Sequence, residues 1–141
     1  MARIHKIPDD FEAMIRIFST AEGGRMSPPF NGIRWDFAYA ESQAVGELYM
    51  INPDFMTRAG THFRPIRPSV GGELPARMTV VMDEMRCKLH RARIREGVRF
   101  YCHEGAKRVA EGRVVKITGL FNERAKRECH LTDASIPTAS R

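Results

Sequence analysis

Apolar and polar residues alternate along much of this chain. In Phe11–Ser19 the residues Phe11, Ala13, Ile15 and Ile17 share one parity, the period of a strand with one face in a core. Met14, Ile15 and Phe18 also fit a helical period, but the Gly23-Gly24 pair close behind would cut a helix short. Ile33, Trp35, Phe37 and Tyr39 alternate without interruption, which predicts a second strand with its aromatic side chains facing in. Residues 45–51 read as a further strand. Between Met78 and Leu89 the parity shifts: Met78, Val80 and Met82 lie on one side, Met85, Cys87 and Leu89 on the other. Two strands divided at Asp83-Glu84 by a bulge or a tight turn would give that shift. Val98–Ile117 reads as a hairpin with Val98, Phe100 and Cys102 inward and Glu104-Gly105 at the turn.

The remainder is less regular. Glu22–Gly32 holds glycines, two prolines and an Asn-Gly pair and is expected to be a structured loop. Residues 52–76 contain Pro53, Pro65, Pro68 and Pro75 with Gly60, Gly71 and Gly72. Regular structure is poorly supported there, and a loop-like stretch of such length in a small domain is often functional. Residues 1–9 read as a lead-in and residues 120–141 as a polar tail, with a short helix near 122–128. Many short strands and few helices predict an all-β sandwich or barrel.

Composition narrows the class. A chain of 141 residues is one domain by length, and with 43% hydrophobic and 28% charged residues it is expected to fold rather than stay disordered. No apolar run approaches the ~20 residues that a membrane helix needs. Met1–Lys6 has no apolar signal region, so a cytoplasmic location is expected. Cys87, Cys102 and Cys129 do not make a disulfide framework, which fits a reducing compartment with Cys87 and Cys102 as small buried apolar groups. A net charge of +6 shifts the balance toward a polyanionic partner such as RNA.

The candidate chemistry is sparse. Between Arg86 and Arg99, six basic residues (Arg86, Lys88, Arg91, Arg93, Arg95 and Arg99) face one acid, Glu96. On a strand they would form rows able to track phosphates, or a solvated face that keeps the protein soluble. Cys87 with His90, Cys102-His103 and Cys129-His130 suggest zinc, but neighbours on a strand point to opposite faces and Cys87/His90 is a single close pair, so no metal is expected. Tyr49, Phe55 and Phe63 could stack on bases or cap the core. Trp35 is expected in the core. No catalytic residues and no cofactor are indicated.

Two blocks carry a family resemblance. Phe11–Phe37 contains Glu22, Gly23, Gly24, Arg25, Phe30, Gly32, Arg34 and Phe37, and Arg95–Ile117 contains Gly97, Arg99, Phe100, Glu104, Gly105, Val109, Gly112 and Val114. In this order they resemble the C-terminal β-barrel domain (domain 3) of translation elongation factor Tu, as a stand-alone domain. The resemblance spans about half of the chain and leaves Glu47–Met85 unmatched. It implies an antiparallel closed β-barrel of about six strands over residues 10–119, with a loop-rich insertion at roughly 47–76.

The family's GTPase resides in a separate N-terminal domain that needs a phosphate-cradling Gly-Lys-Ser/Thr loop. No Gly-Lys pair and no Asn-Lys-x-Asp motif occurs here. With residues 1–9 ahead of the first strand, no nucleotide domain and no bound nucleotide are expected. The family's barrel also grips tRNA. The resemblance maps those contacts onto Arg25 and Gly105, both retained, and onto His90 and Val45, both departures. Arg25, His90, Arg91, Arg93, Arg95, Gly105 and Lys107 are therefore the candidate nucleic-acid or partner-binding residues. Arg25 has an alternative role, bracing the barrel by pairing with a carboxylate. Two functions follow: a non-catalytic protein-interaction or regulatory module linked to the translation machinery, and an RNA- or tRNA-binding module. The unmatched middle segment favours the first, as the natural place for a new surface.

Overall fold

A computed structural model describes residues 7–29, 32–41, 47–56 and 72–124. Among these described residues are six antiparallel strands: β1 (Phe11–Ile17), β2 (Trp35–Tyr39), β3 (Tyr49–Phe55), β4 (Leu74–Val80), β5 (Arg99–Glu104) and β6 (Lys107–Ile117). They close into a barrel in the order β1-β4-β3-β2-β5-β6, with β6 returning to β1. The all-β closed barrel expected from the sequence is what the chain adopts.

Alternation explains the closure. Phe11, Ala13 and Ile15 of β1, Trp35, Phe37 and Tyr39 of β2, and Phe100 and Cys102 of β5 are all buried. Each of these three strands thus donates alternate side chains to one interior. The rings meet at favourable angles: Phe37 stacks on Phe100 at 4.7 Å between centroids, and Phe11 stands edge-on to both. The β5–β6 turn works through Gly105, whose φ of 64° fits the first central position of a two-residue hairpin loop between Glu104 and Lys107.

Three expectations change. The region read as loop, 52–76, is strand at both ends: β3 runs on through Pro53 to Phe55 and β4 begins at Leu74. Tyr49 and Phe55 are accordingly strand residues, with Phe55 in the core; Phe63 lies outside the described residues. Second, the strand expected after Asp83-Glu84 is a helical cap, made of an α turn (Asp83–Met85), a widened π turn (Arg86–His90) and an α turn (Arg91–Arg93). The Arg91 N–H bonds the Arg86 carbonyl five residues back, which defines the widening. Third, Thr118–Arg124 packs on the barrel, with Leu120 fully buried. Residues 122–124 are not helical, and the rest of the helix expected at 122–128 lies outside the described residues.

The cap escaped a period-based reading for a physical reason. Its buried stripe is Arg86, His90 and Ile94, spaced by four, and two of these three are polar. A helix whose inward face is polar carries little apolar signal at a 3.6 period.

Antiparallel pairing defines the two ends of the barrel. The cap, residues 7–10, Thr118–Arg124, Tyr39 and Tyr49 lie at one end, called here the cap end. The chain between β1 and β2 and the Gly105 turn lie at the other, the loop end. No described helix is long and apolar enough to cross a membrane.

Candidate functional site

The structure divides the candidate residues. Arg25, Gly105 and Lys107 stand together at the loop end, while His90, Arg91, Arg93 and Arg95 belong to the cap end. The length of β5 separates the groups, roughly 16 Å at the usual rise per residue.

At the loop end, the Glu22-Gly23-Gly24-Arg25 motif has a structural reason at each position. Ser19 caps a short 3₁₀ turn (Thr20–Glu22), and Glu22 reaches back to the Ser19 N–H at 2.8 Å, completing a capping box. Gly23 ends the turn with φ of 91°. At Gly24 a Cβ would lie 2.3 Å from the Phe18 carbonyl oxygen, so only glycine fits. The Arg25 guanidinium then pairs with Glu104 at the end of β5. The same carboxylate accepts the Trp35 indole N–H at 2.9 Å, and Lys107 reaches the Gly24 carbonyl at 3.4 Å. Arg25 thus ties the loop to the hairpin, the bracing role the sequence left open for it.

At the cap end, the basic row is not a row. Arg86 is 1% exposed, and its Nε donates to Asp10 Oδ1 at 2.7 Å. Its Nη2 donates to the carbonyls of Gly119 and Asn122 at 2.7 and 2.6 Å. Arg124 donates to the other Asp10 oxygen at 2.8 Å and to the Val80 carbonyl at 2.6 Å. Arg91 Nε donates to the Leu120 carbonyl at 2.8 Å. Asp10 is the hub, since the Val80 N–H also donates to its carboxylate, and the Thr118 N–H donates to its main-chain carbonyl. The sequence could not show this, because the partners sit 29 to 114 residues apart.

His90 is buried, with its Nδ1 2.5 Å from the Tyr39 hydroxyl, and Phe37 and Tyr49 meet its ring edge-on. Burial, then the nearby Arg93 charge, pushes its pKa down to about 4, so the ring is neutral at neutral pH. Burial raises the Tyr39 hydroxyl well above the usual tyrosine range. The Arg93 guanidinium lies over the Tyr39 ring at 3.8 Å. Of the four candidates at this end, Arg95 is the one that is exposed, and it donates to the Ile94 carbonyl at 3.2 Å.

The remaining chemistry is similarly enclosed. Cys102 is a buried thiol with its pKa raised by desolvation. Cys87 is half-buried and disulfide-bonded, so the expectation of a small buried apolar group holds for Cys102 and fails for Cys87. Among the described residues no group of three or more His, Cys, Asp and Glu is placed to hold a metal ion. Val45 and the Cys129-His130 pair lie outside those residues.

Charge is divided along the sequence. Acidic and basic side chains are equal in number among the described residues, so the net +6 falls in segments 1–6, 57–71 and 125–141. Fold and sites together define a closed antiparallel six-stranded barrel with a helical cap locked on by a buried ion network. A comparison with known protein-family models finds no match to the chain.

Proposed function

We propose that this protein is a non-catalytic binding module, related to the C-terminal barrel of elongation factor Tu, that acts by engaging or regulating a protein partner. The observation that carries the reading is the use of Arg86 and Arg91 as internal fasteners, with Arg93 laid on Tyr39. Cations committed in this way do not form a track for a phosphate backbone. The enclosure of His90, Tyr39 and Cys102 in the interior supports a binding role over a catalytic one. The translation apparatus is the first place to seek the partner. The proposal includes a cytoplasmic location, against which the disulfide at Cys87 is a contrary feature.

One observation favours RNA or tRNA as the second reading: the basic excess lies wholly in segments 1–6, 57–71 and 125–141, which hold Arg58, Arg64 and Arg67 among others. Two measurements on the full chain separate the readings. Affinity for total tRNA is measured at two salt concentrations, and co-purifying proteins are recovered with and without ribonuclease, then reconstituted from pure components. A saturable protein complex that survives ribonuclease, with weak tRNA binding, is expected. Micromolar or tighter tRNA binding that falls steeply with salt, with protein recovery lost on ribonuclease treatment, would overturn the protein-partner reading.

A further inference from the structure

The outer wall of the β5–β6 hairpin carries charge that the barrel uses only in part. Arg99 on β5 stands directly opposite Arg113 on β6. Like charges in that position oppose each other and cost stability. Arg99 is exposed and has no ion-pair partner among the described residues, while Arg113 reaches Glu73 at 3.1 Å through a side chain still 44% exposed. Farther along the same wall the Arg108 guanidinium lies 3.9 Å over the Tyr101 ring, again with no carboxylate partner among the described residues. The neighbouring positions are Ala38 of β2, opposite Tyr101, and Ala40 just past it, whose N–H bonds the Arg99 carbonyl. Small residues stand beside Arg99, which is exposed, and Tyr101, which is partly so.

We propose that this wall, formed by Arg99, Tyr101, Arg108 and Arg113, is a docking surface for an acidic segment of a partner protein. The inference rests on the protein-partner reading above and names the chemistry of that partner. At this wall β5 is paired on both sides, with β2 and with β6, so recognition falls to side chains rather than to strand addition. Guanidinium groups match carboxylates through paired hydrogen bonds, and stacking on Tyr101 holds one of them ready. Glu111 occupies the centre of the wall, opposite Tyr101 and bound to Arg16 at 2.8 Å. A continuous phosphate backbone would meet that carboxylate, whereas acidic side chains spaced along a peptide can straddle it.

The test uses the full chain with two fluorescein-labelled probes of equal length, an alternating Glu-Ser peptide and oligouridylate, read by anisotropy at low salt. The peptide is expected to bind, and Arg99→Gln/Arg113→Gln to weaken it about tenfold. The same double variant should keep or slightly raise the thermal midpoint, because it relieves the opposed charges, so its loss of binding is not loss of folding. Arg58→Gln/Arg64→Gln/Arg67→Gln is expected to leave peptide binding unchanged. Undiminished peptide binding by the wall variant, or a loss that follows the triple variant instead, overturns the wall while leaving the protein-partner reading intact. Tighter binding of oligouridylate with the same dependence on Arg99 and Arg113 overturns the choice of a peptide over RNA.

Discussion

The two ends of the barrel are closed by different means. The loop end is held by hydrogen bonds between neighbours in sequence and by partly exposed ion pairs, Arg16 with Glu22 and Glu111 and Arg25 with Glu104, which tie the loop and β1 to the hairpin. The cap end is held by a buried network in which Asp10 meets Arg86 and Arg124, with all three side chains at most 6% exposed. A half-solvated pair contributes little beyond its hydrogen bonds, because water competes for both partners. A buried pair has already lost its water, so removing one partner strands the other in a low dielectric. The same residue types therefore carry very different weight at the two ends, and the basic cluster that most resembled a binding site is the more structural of the two.

Substitution should expose this difference. The largest effect is expected for Asp10→Ala, which leaves Arg86 and Arg124 without their shared carboxylate. A loss of about 3–5 kcal/mol in urea unfolding is expected. A loss below ~1 kcal/mol would remove the cap network from its central place.

Next comes the response of the cap end to acid. His90 is neutral and buried, with a folded pKa near 4 against about 6.5 when unfolded. The unfolded chain takes up the proton first, so this stabilisation is complete above about pH 6.5 and drains away as pH falls toward 4, by on the order of 3 kcal/mol. His90→Gln should flatten that slope between pH 6.5 and 4, measured as unfolding free energy against pH. An unchanged slope in the variant would assign the acid response to other groups.

The loop end should yield less. Gly24→Ala places a methyl group against the Phe18 carbonyl and is expected to cost roughly 1–3 kcal/mol, read from thermal unfolding. Smaller still, Glu104→Gln weakens the hold on Arg25 and is expected to cost about 1 kcal/mol, with faster proteolysis confined to the chain between β1 and β2. If Glu104→Gln proved as damaging as Asp10→Ala, the contrast between the ends would collapse.

Much of the barrel was legible from residue order. The alternation in Phe11–Ile17 and Trp35–Tyr39, and the Gly105 turn, each reflect a local rule, so the sequence pattern and the fold agree. The continuation of β3 through Pro53 was not legible, because proline normally argues against a strand. Pro53 pairs with Met78 on β4, while the β2–β3 register stops at Trp35–Ile51, so the far side of Pro53 faces no β2 partner. Spacing also could not reveal the cap, since its inward residues were chosen to meet Asp10 and Tyr39 rather than to be apolar.

By itself, the sequence determined which side chains face the barrel interior and where the hairpin turns, because a strand's period and a glycine's φ are properties of a few consecutive residues. Tertiary structure alone decided what the arginines do. Arg86 and Arg91 read as surface charge until Asp10 and the carbonyls of 119–122 are brought beside them, while Arg99 and Arg113, no different in the sequence, are left facing outward. An arginine's role depends on whether burial removes its water and supplies an acceptor, and that is settled by contacts between distant parts of the chain.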